Sequence, residues 1–152
     1  METGKTHADL MELLTRLAGE VYDALGSGHS ESVYHRAMVV GLRAAQIPYR
    51  PLQSVSVRFR GEEVGVEEVD LLVGEGMECA VVELKVMSEL IGRPERQQVC
   101  NYMRGLDLRF GLIINFPKPD RPPKKAVRTL IECEEVRLDS ERELGSHEGG
   151  HQ

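Results

Sequence analysis

The sequence predicts an α/β protein in which a mixed β-sheet is flanked by helices. Three observations carry this expectation. Apolar residues recur at helical spacing through residues 10–25; three strand-like stretches follow one another between 54 and 87; and a segment opened by Pro94 separates the last of these from a short apolar run, Phe110–Asn115. Three strands pairing as an antiparallel meander, then a helix and a further strand, give a sheet whose faces need helical cover.

Taken in order, Leu10, Leu13, Leu14, Leu17, Val21 and Leu25 mark a first helix from about Thr6 to Leu25, ended by Gly26-Ser27-Gly28. Ser30 or a neighbour caps a second helix that runs to about Gln46, with Val33, Met38, Leu42 and Ala45 inward, and Pro48 and Pro51 stop it. Val55, Val57 and Phe59 alternate with Ser54, Ser56 and Arg58, the period of a half-buried strand. After a turn at Gly61-Glu62, a second strand spans Glu63 to Val73, and Gly74-Glu75-Gly76 turns into a third, Ala80 to Met87. Pro94 suits the first turn of a helix to about Arg104, with Val99, Tyr102 and Met103 inward. Beyond Phe110–Asn115 comes a proline- and lysine-rich loop, 117–125, and then Val127, Leu130 and Ile131, read as an edge strand or short helix. The order is α-α-β-β-β-α-β with a weak final element.

The chain has 152 residues, enough for one domain with a real core; residues 6–138 are expected to form it, and 139–152 a disordered acidic tail. Aromatic residues make up 5% with no Trp, which argues against single-strand binding by stacking platforms. A formal charge of −6 is unfavourable for holding a long duplex by phosphate neutralisation alone, so any nucleic-acid contact is local. Cys79, Cys100 and Cys133 lack the spacing of a zinc knuckle or a disulfide framework. No stretch approaches the roughly 20 apolar residues of a membrane span, and Glu2, Asp9, Glu12 and Glu20 are out of place in a targeting helix. These features point to an intracellular protein, cytoplasmic or nuclear, with no membrane partner.

Chemistry concentrates in Ala80-Val81-Val82-Glu83-Leu84-Lys85-Val86-Met87. Strand alternation puts Ala80, Val82, Leu84 and Val86 on one face and Val81, Glu83, Lys85 and Met87 on the other. A carboxylate and an ammonium therefore project side by side from an otherwise apolar strand, and burying them costs several kcal/mol each unless they are paired or bind a metal. Pairing across the Gly74 turn brings Asp70 near Glu83, a hard oxygen donor set suited to Mg²⁺ or Mn²⁺. The plainer alternative is a cross-strand ion pair on a half-exposed face.

Five blocks make a more specific pattern. Gly28-His29-Ser30-Glu31-Ser32-Val33-Tyr34 spells GxxExxY, and Asp70-Leu71-Leu72-Val73, Val82-Glu83-Leu84-Lys85, Gln98-Val99-Cys100-Asn101-Tyr102 and Gly111-Leu112-Ile113-Ile114-Asn115-Phe116 follow in the same order as in the GxxExxY protein family, which the chain resembles over roughly residues 8–132. That family looks like a compact branch of the PD-(D/E)xK nuclease superfamily. The resemblance implies a nuclease-like core and a metal-dependent hydrolase of nucleic-acid phosphodiesters. It implies Asp70 and Glu83 as principal metal ligands, Glu31 as a helical acid approaching the same Mg²⁺ or Mn²⁺, Lys85 as the catalytic lysine, and Gln98 as a supporting residue. Tyr34 and Tyr102 match family positions, but equally suit an aromatic core. Val69 stands where the superfamily name has proline, Glu68 where a basic residue is often seen, and Glu95 where histidine is frequent.

Lys118, Arg121, Lys124 and Lys125, with Arg128, form the basic cluster best suited to dock a phosphate backbone, or simply a solvated loop. Gly4-Lys5-Thr6 is no P-loop, since no strand precedes it, and His29 beside Ser30 lacks an acidic partner for a hydrolase triad. A second function class stands beside the nuclease: a catalytically silent module of the same fold that acts through a protein partner or as a homodimer.

Overall fold

A computed structural model describes residues 6–119 and 132–138. Within them, α1 (His7–Leu25) and α2 (Glu31–Ala44) precede β1 (Tyr49–Phe59), β2 (Glu62–Val73), a single 3₁₀ turn (Gly76–Glu78) and β3 (Ala80–Lys85); α3 (Arg93–Leu106), β4 (Phe110–Asn115) and β5 (Glu132–Arg137) complete the order. The five strands form one sheet in the order β1-β2-β3-β4-β5. Its first three strands are an antiparallel meander, β4 joins β3 in parallel through α3, and β5 closes antiparallel to β4. The mixed sheet flanked by helices is therefore the architecture the sequence predicts.

Helix α1 starts where Thr6 caps it. The Thr6 hydroxyl accepts the Asp9 N–H at 3.2 Å while the Asp9 carboxylate accepts the Thr6 N–H at 3.2 Å, a reciprocal pair that satisfies two donors the helix leaves open. Its buried residues, Leu10, Met11, Leu14, Ala18 and Val21, pack with Tyr34, Met38 and Leu42 of α2 against Leu71, Val73, Ala80, Val82 and Leu84 on one sheet face. On the other face, Val99, Cys100, Tyr102 and Met103 of α3 cover Val55, Val69, Leu72, Val81 and Ile113. Strand β3 is central and buried on both sides, which explains its near-continuous apolar run.

Several expectations shift by a residue or an element. The inward stripe of α2 is Tyr34, Met38 and Leu42 at i, i+4 spacing; Val33 and Ala45 are exposed, because Tyr34 turns the helix so that Val33 lies off the core. β1 runs through Pro51, which its place at the sheet's edge tolerates, and of Val55, Val57 and Phe59 only Val55 is buried. Val57 and Phe59 lie on the outer half of the β1–β2 hairpin, beyond the covered part of the sheet. β3 ends at Lys85 rather than Met87, since Asn115 takes over there: its side chain accepts the Met87 N–H at 2.8 Å and donates to the Met87 carbonyl at 3.2 Å. The last strand is β5, at 132–137; Val127–Ile131 and the expected tail at 139–152 lie outside the described residues.

The α3–β4 contact depends on one glycine. A methyl group at Gly111 would lie 2.7 Å from Val99 Cγ1 and 2.9 Å from Met103 Sδ. Valine is stiff at χ1 and α3 is locked by its own core, so neither atom retreats cheaply. Gly111→Ala is expected to destabilise the fold by about 1–3 kcal/mol by overpacking, seen as a lower urea midpoint with an unchanged m-value.

Candidate active site

Side-chain alternation reverses in β1 and β2 at the same level of the sheet. Tyr49 packs with the α1/α2 core and Val55 with the α3 core, although regular alternation puts both on one face; in β2, Leu71 and Val73 face α1/α2 whereas Val69 joins Leu72 beneath α3. Leu52 lies at this break in left-handed backbone with φ 55°, opposite Asp70, between the Pro51–Leu71 and Gln53–Val69 pairs. That conformation costs a residue with a Cβ about 1–2 kcal/mol. Strain of this kind concentrates where a strand re-aims side chains for function.

The β2–β3 ladder stops at Leu71–Val82, and two carboxylates continue it. Glu83 Oε1 accepts the Asp70 N–H at 3.1 Å, and Asp70 Oδ2 accepts the Leu84 N–H at 2.9 Å. Each acid thus satisfies a backbone donor on the other's strand. The cost is a pair of acids held close together and partly dry, with Glu83 only 3% exposed. Burial first, and then the Asp70 charge, push the Glu83 carboxyl up to about 7. Asp70 is also raised, chiefly by burial and further by the Glu68 charge, against the lowering effect of the Leu84 N–H, His35 and Lys85.

Lys85 follows Glu83 on the same face. Its ammonium lies 3.5 Å from Glu83 Oε2 and donates to Gln98 Oε1 at 2.8 Å. Gln98 comes from the first half of α3, and Tyr102, one turn on, shares a hydrogen bond with it. Burial, followed by the charge of Glu83, drives the Tyr102 phenol up to about 12, so it stays a neutral hydroxyl behind the site. Glu95 caps α3, its carboxylate accepting the Gly92 N–H at 2.9 Å.

Glu31 stands at the rim, in the first turn of α2, where loss of hydration and the Asp70 charge raise its pKa. One turn along, His35 donates from Nε2 to the Asp70 carbonyl at 2.9 Å, since a carbonyl only accepts. His35 and Arg36 were not among the residues the sequence singled out; the signal was the i, i+4 spacing of Glu31 and His35, which puts both on the helix face toward Asp70. Tyr34 points away, fully buried: it stacks on Phe116 with centroids 4.3 Å apart, and its hydroxyl donates to the Gly26 carbonyl at 2.6 Å. Gly28 of the same motif has φ 97°, a backbone that favours glycine. His29 donates to the Leu25 carbonyl at 2.9 Å and takes no part in the cluster.

The cluster is Asp70, Glu83, Lys85 and Gln98, with Glu31 and His35 beside it. Among the described residues no group of three or more His, Cys, Asp or Glu is arranged to hold a metal ion, so Glu31, Asp70 and Glu83 share charge without closing on one point. The reason is visible in the hydrogen bonds: one oxygen of Asp70 and one of Glu83 are committed to backbone amides. The second oxygen of Asp70 remains and that of Glu83 lies 3.5 Å from the Lys85 ammonium, and one or two carboxylates plus water are how Mg²⁺ is ordinarily held. By donor type and by the raised carboxyl pKa values, the residues fit a hard divalent cation. Of the basic candidates, Lys118 is exposed on the segment after β4, its N–H on the Met87 carbonyl at 3.3 Å. Arg121, Lys124 and Lys125 lie outside the described residues.

Residues 8–129 match the sequence profile of the PD-(D/E)XK nuclease superfamily. Among curated proteins nothing matches. Solved structures similar to the chain include Hjc of Archaeoglobus fulgidus, a Holliday junction resolvase from an archaeal hyperthermophile, at 16% identity and a TM-score of 0.40, covering 68% of this chain and 74% of that one. Another is the protein SSO0001, at 15% identity and a TM-score of 0.47, covering 97% of this chain and 74% of that one.

Proposed function

Because the chain belongs to the PD-(D/E)XK nuclease superfamily, we propose that it is a divalent-cation-dependent hydrolase of nucleic-acid phosphodiesters, of the GxxExxY branch, formed by one domain over residues 6–138. One observation carries this reading: Asp70 and Glu83 are crossed onto each other's strands with Lys85 held between Glu83 and Gln98. A buried pair of acids with a raised pKa costs stability, and such arrangements cluster at functional sites.

The geometry supports a role for each residue. Lys85 has three N–H donors; Gln98 takes one and Glu83 lies near another, which leaves one for a phosphoryl oxygen or the attacking water. Asp70 and Glu83 would hold the Mg²⁺ or Mn²⁺, with Glu31 as the further acid nearest to them from α2. The cation, when bound, lowers the pKa of a water and offsets charge on the phosphoryl group. Gln98 fixes the Lys85 ammonium, and Tyr102 fixes Gln98. As the water oxygen bonds to phosphorus and gives up its proton to solvent, the leaving P–O bond breaks and the leaving oxygen takes a proton from solvent, with the Lys85 ammonium offsetting the negative charge that accumulates. Lys118, with Arg121, Lys124 and Lys125, is proposed to contact the nucleic-acid backbone.

One observation favours the second reading, a silent module acting through a protein partner or as a homodimer: the three carboxylates do not close into a ligand set. The test is cleavage of single- and double-stranded DNA and RNA with Mg²⁺ or Mn²⁺, wild type against Glu83→Gln. The nuclease reading expects products from wild type alone. Equal traces from both proteins would leave the silent module. No helix among the described residues is long and apolar enough to cross a membrane.

A further inference from the structure

Beside the carboxylates, α2 and the Leu52 kink enclose an open groove of about 400 Å³, lined by Glu31, Ser32, His35, Arg36, Leu52 and Asp70. Its lining carries both signs of charge: Glu31 and Asp70 are acidic, and Arg36 is a cation that makes no ion pair among the described residues. Leu52 is 54% exposed, an apolar side chain kept in view of the groove by left-handed backbone. Burial explains neither feature. An unpaired arginine suits a phosphate, and an apolar wall next to it suits a sugar or base face.

The volume falls within the range of small-ligand clefts, in which an apolar wall and a few placed polar groups fix one unit. His35 joins the groove to the site. Its Nε2–H holds the Asp70 carbonyl, so the wall of the groove and the backbone that carries Asp70 move together. Whatever lies in the groove is therefore in register with the carboxylates.

We propose that this groove is a nucleotide subsite: it holds the unit next to the scissile phosphodiester, with Arg36 on that unit's phosphate and Leu52 against its sugar or base. The proposal rests on the nuclease reading for its purpose but is tested by binding alone. It gives a net-acidic chain a local point of phosphate contact on the α2 side of the site.

The experiment is fluorescence anisotropy of a short labelled single-stranded oligodeoxythymidylate and its RNA counterpart, in Ca²⁺, which takes the same class of oxygen ligands. A salt series is run for wild type, Arg36→Ala, Leu52→Ala and Arg43→Ala, the last in the final turn of the same helix. Arg36→Ala is expected to weaken binding about five- to tenfold at low salt and to reduce the log–log salt slope by about 0.7, the loss of one phosphate contact on a single strand. Leu52→Ala weakens binding with the slope unchanged, and Arg43→Ala matches wild type. Arg36→Ala behaving like Arg43→Ala, or wild type failing to bind either strand, overturns the subsite. Arg36-dependent binding in Ca²⁺ together with no cleavage of any strand in Mg²⁺ or Mn²⁺ overturns the nuclease reading and leaves the subsite standing.

Discussion

Lys85→Ala is expected to lower metal-dependent phosphodiester cleavage by about 10²–10³-fold while leaving divalent-cation affinity nearly unchanged. The two halves of that expectation have different origins. The ammonium is a donor fixed by Gln98 at 2.8 Å, so it stabilises charge at the reacting centre without reorganising, and its removal costs transition-state stabilisation. It is not a ligand: the oxygens proposed to hold a cation belong to Asp70 and Glu83, whose backbone bonds survive the substitution. Parallel measurement of initial rates and of cation binding checks both. A rate loss accompanied by an equal loss of cation affinity would mean that Lys85 holds the carboxylates in place and does not act on the phosphate.

The second large effect is on stability. The Glu83 carboxyl is raised from its ordinary value of 4.5 to about 7. Over that interval the folded protein keeps a proton that the unfolded chain has released. The contribution is therefore complete below about pH 4.5, declines as pH rises, and is lost above about 7. At about 1.4 kcal/mol per unit, the cation-free protein at neutral pH gives up about 2–3 kcal/mol relative to its acidic optimum. Glu83→Gln removes the penalty, because the amide oxygen still accepts the Asp70 N–H and Lys85 retains Gln98. The variant is expected to melt about 5–10 °C above wild type at pH 8 in EDTA and to show a flatter pH profile. The remaining slope belongs to Asp70 and Glu31, which are raised in the same direction and titrate with Glu83 as a coupled set. Scanning calorimetry across pH 4–8 checks this; a wild type that gains stability over that range would contradict it.

Much of the architecture was legible because local chemistry and global packing agree. The limits of α1 follow from Thr6 at its start and Gly26 at its end, and the two-sided burial of β3 follows from its apolar run. The pairing of Asp70 with Glu83 and the position of Lys85 were readable from strand alternation plus one turn at Gly74. The reversal of faces at Leu52 was not. Left-handed backbone normally announces itself by glycine or asparagine, and leucine gives no such signal. Nor was the limit of helical cover legible: alternation put Val57 and Phe59 with Val55, whereas the hairpin beyond Val55 is largely uncovered. Arg36 was equally silent, because its significance lies in lining, with Leu52 and Asp70, a groove that exists only in the folded chain.

The central claim is that Asp70 and Glu83, made uncomfortable by each other and by burial, are completed by a divalent cation. Titration calorimetry with Mn²⁺ near pH 7, in two buffers of different ionisation enthalpy, tests it most directly. The account predicts saturable binding by wild type with proton release, since a carboxyl of pKa about 7 must ionise to bind the metal, and loss of both signals in Glu83→Gln and Asp70→Asn. Binding of equal strength in wild type and Glu83→Gln, or no binding by wild type at millimolar cation, would contradict it.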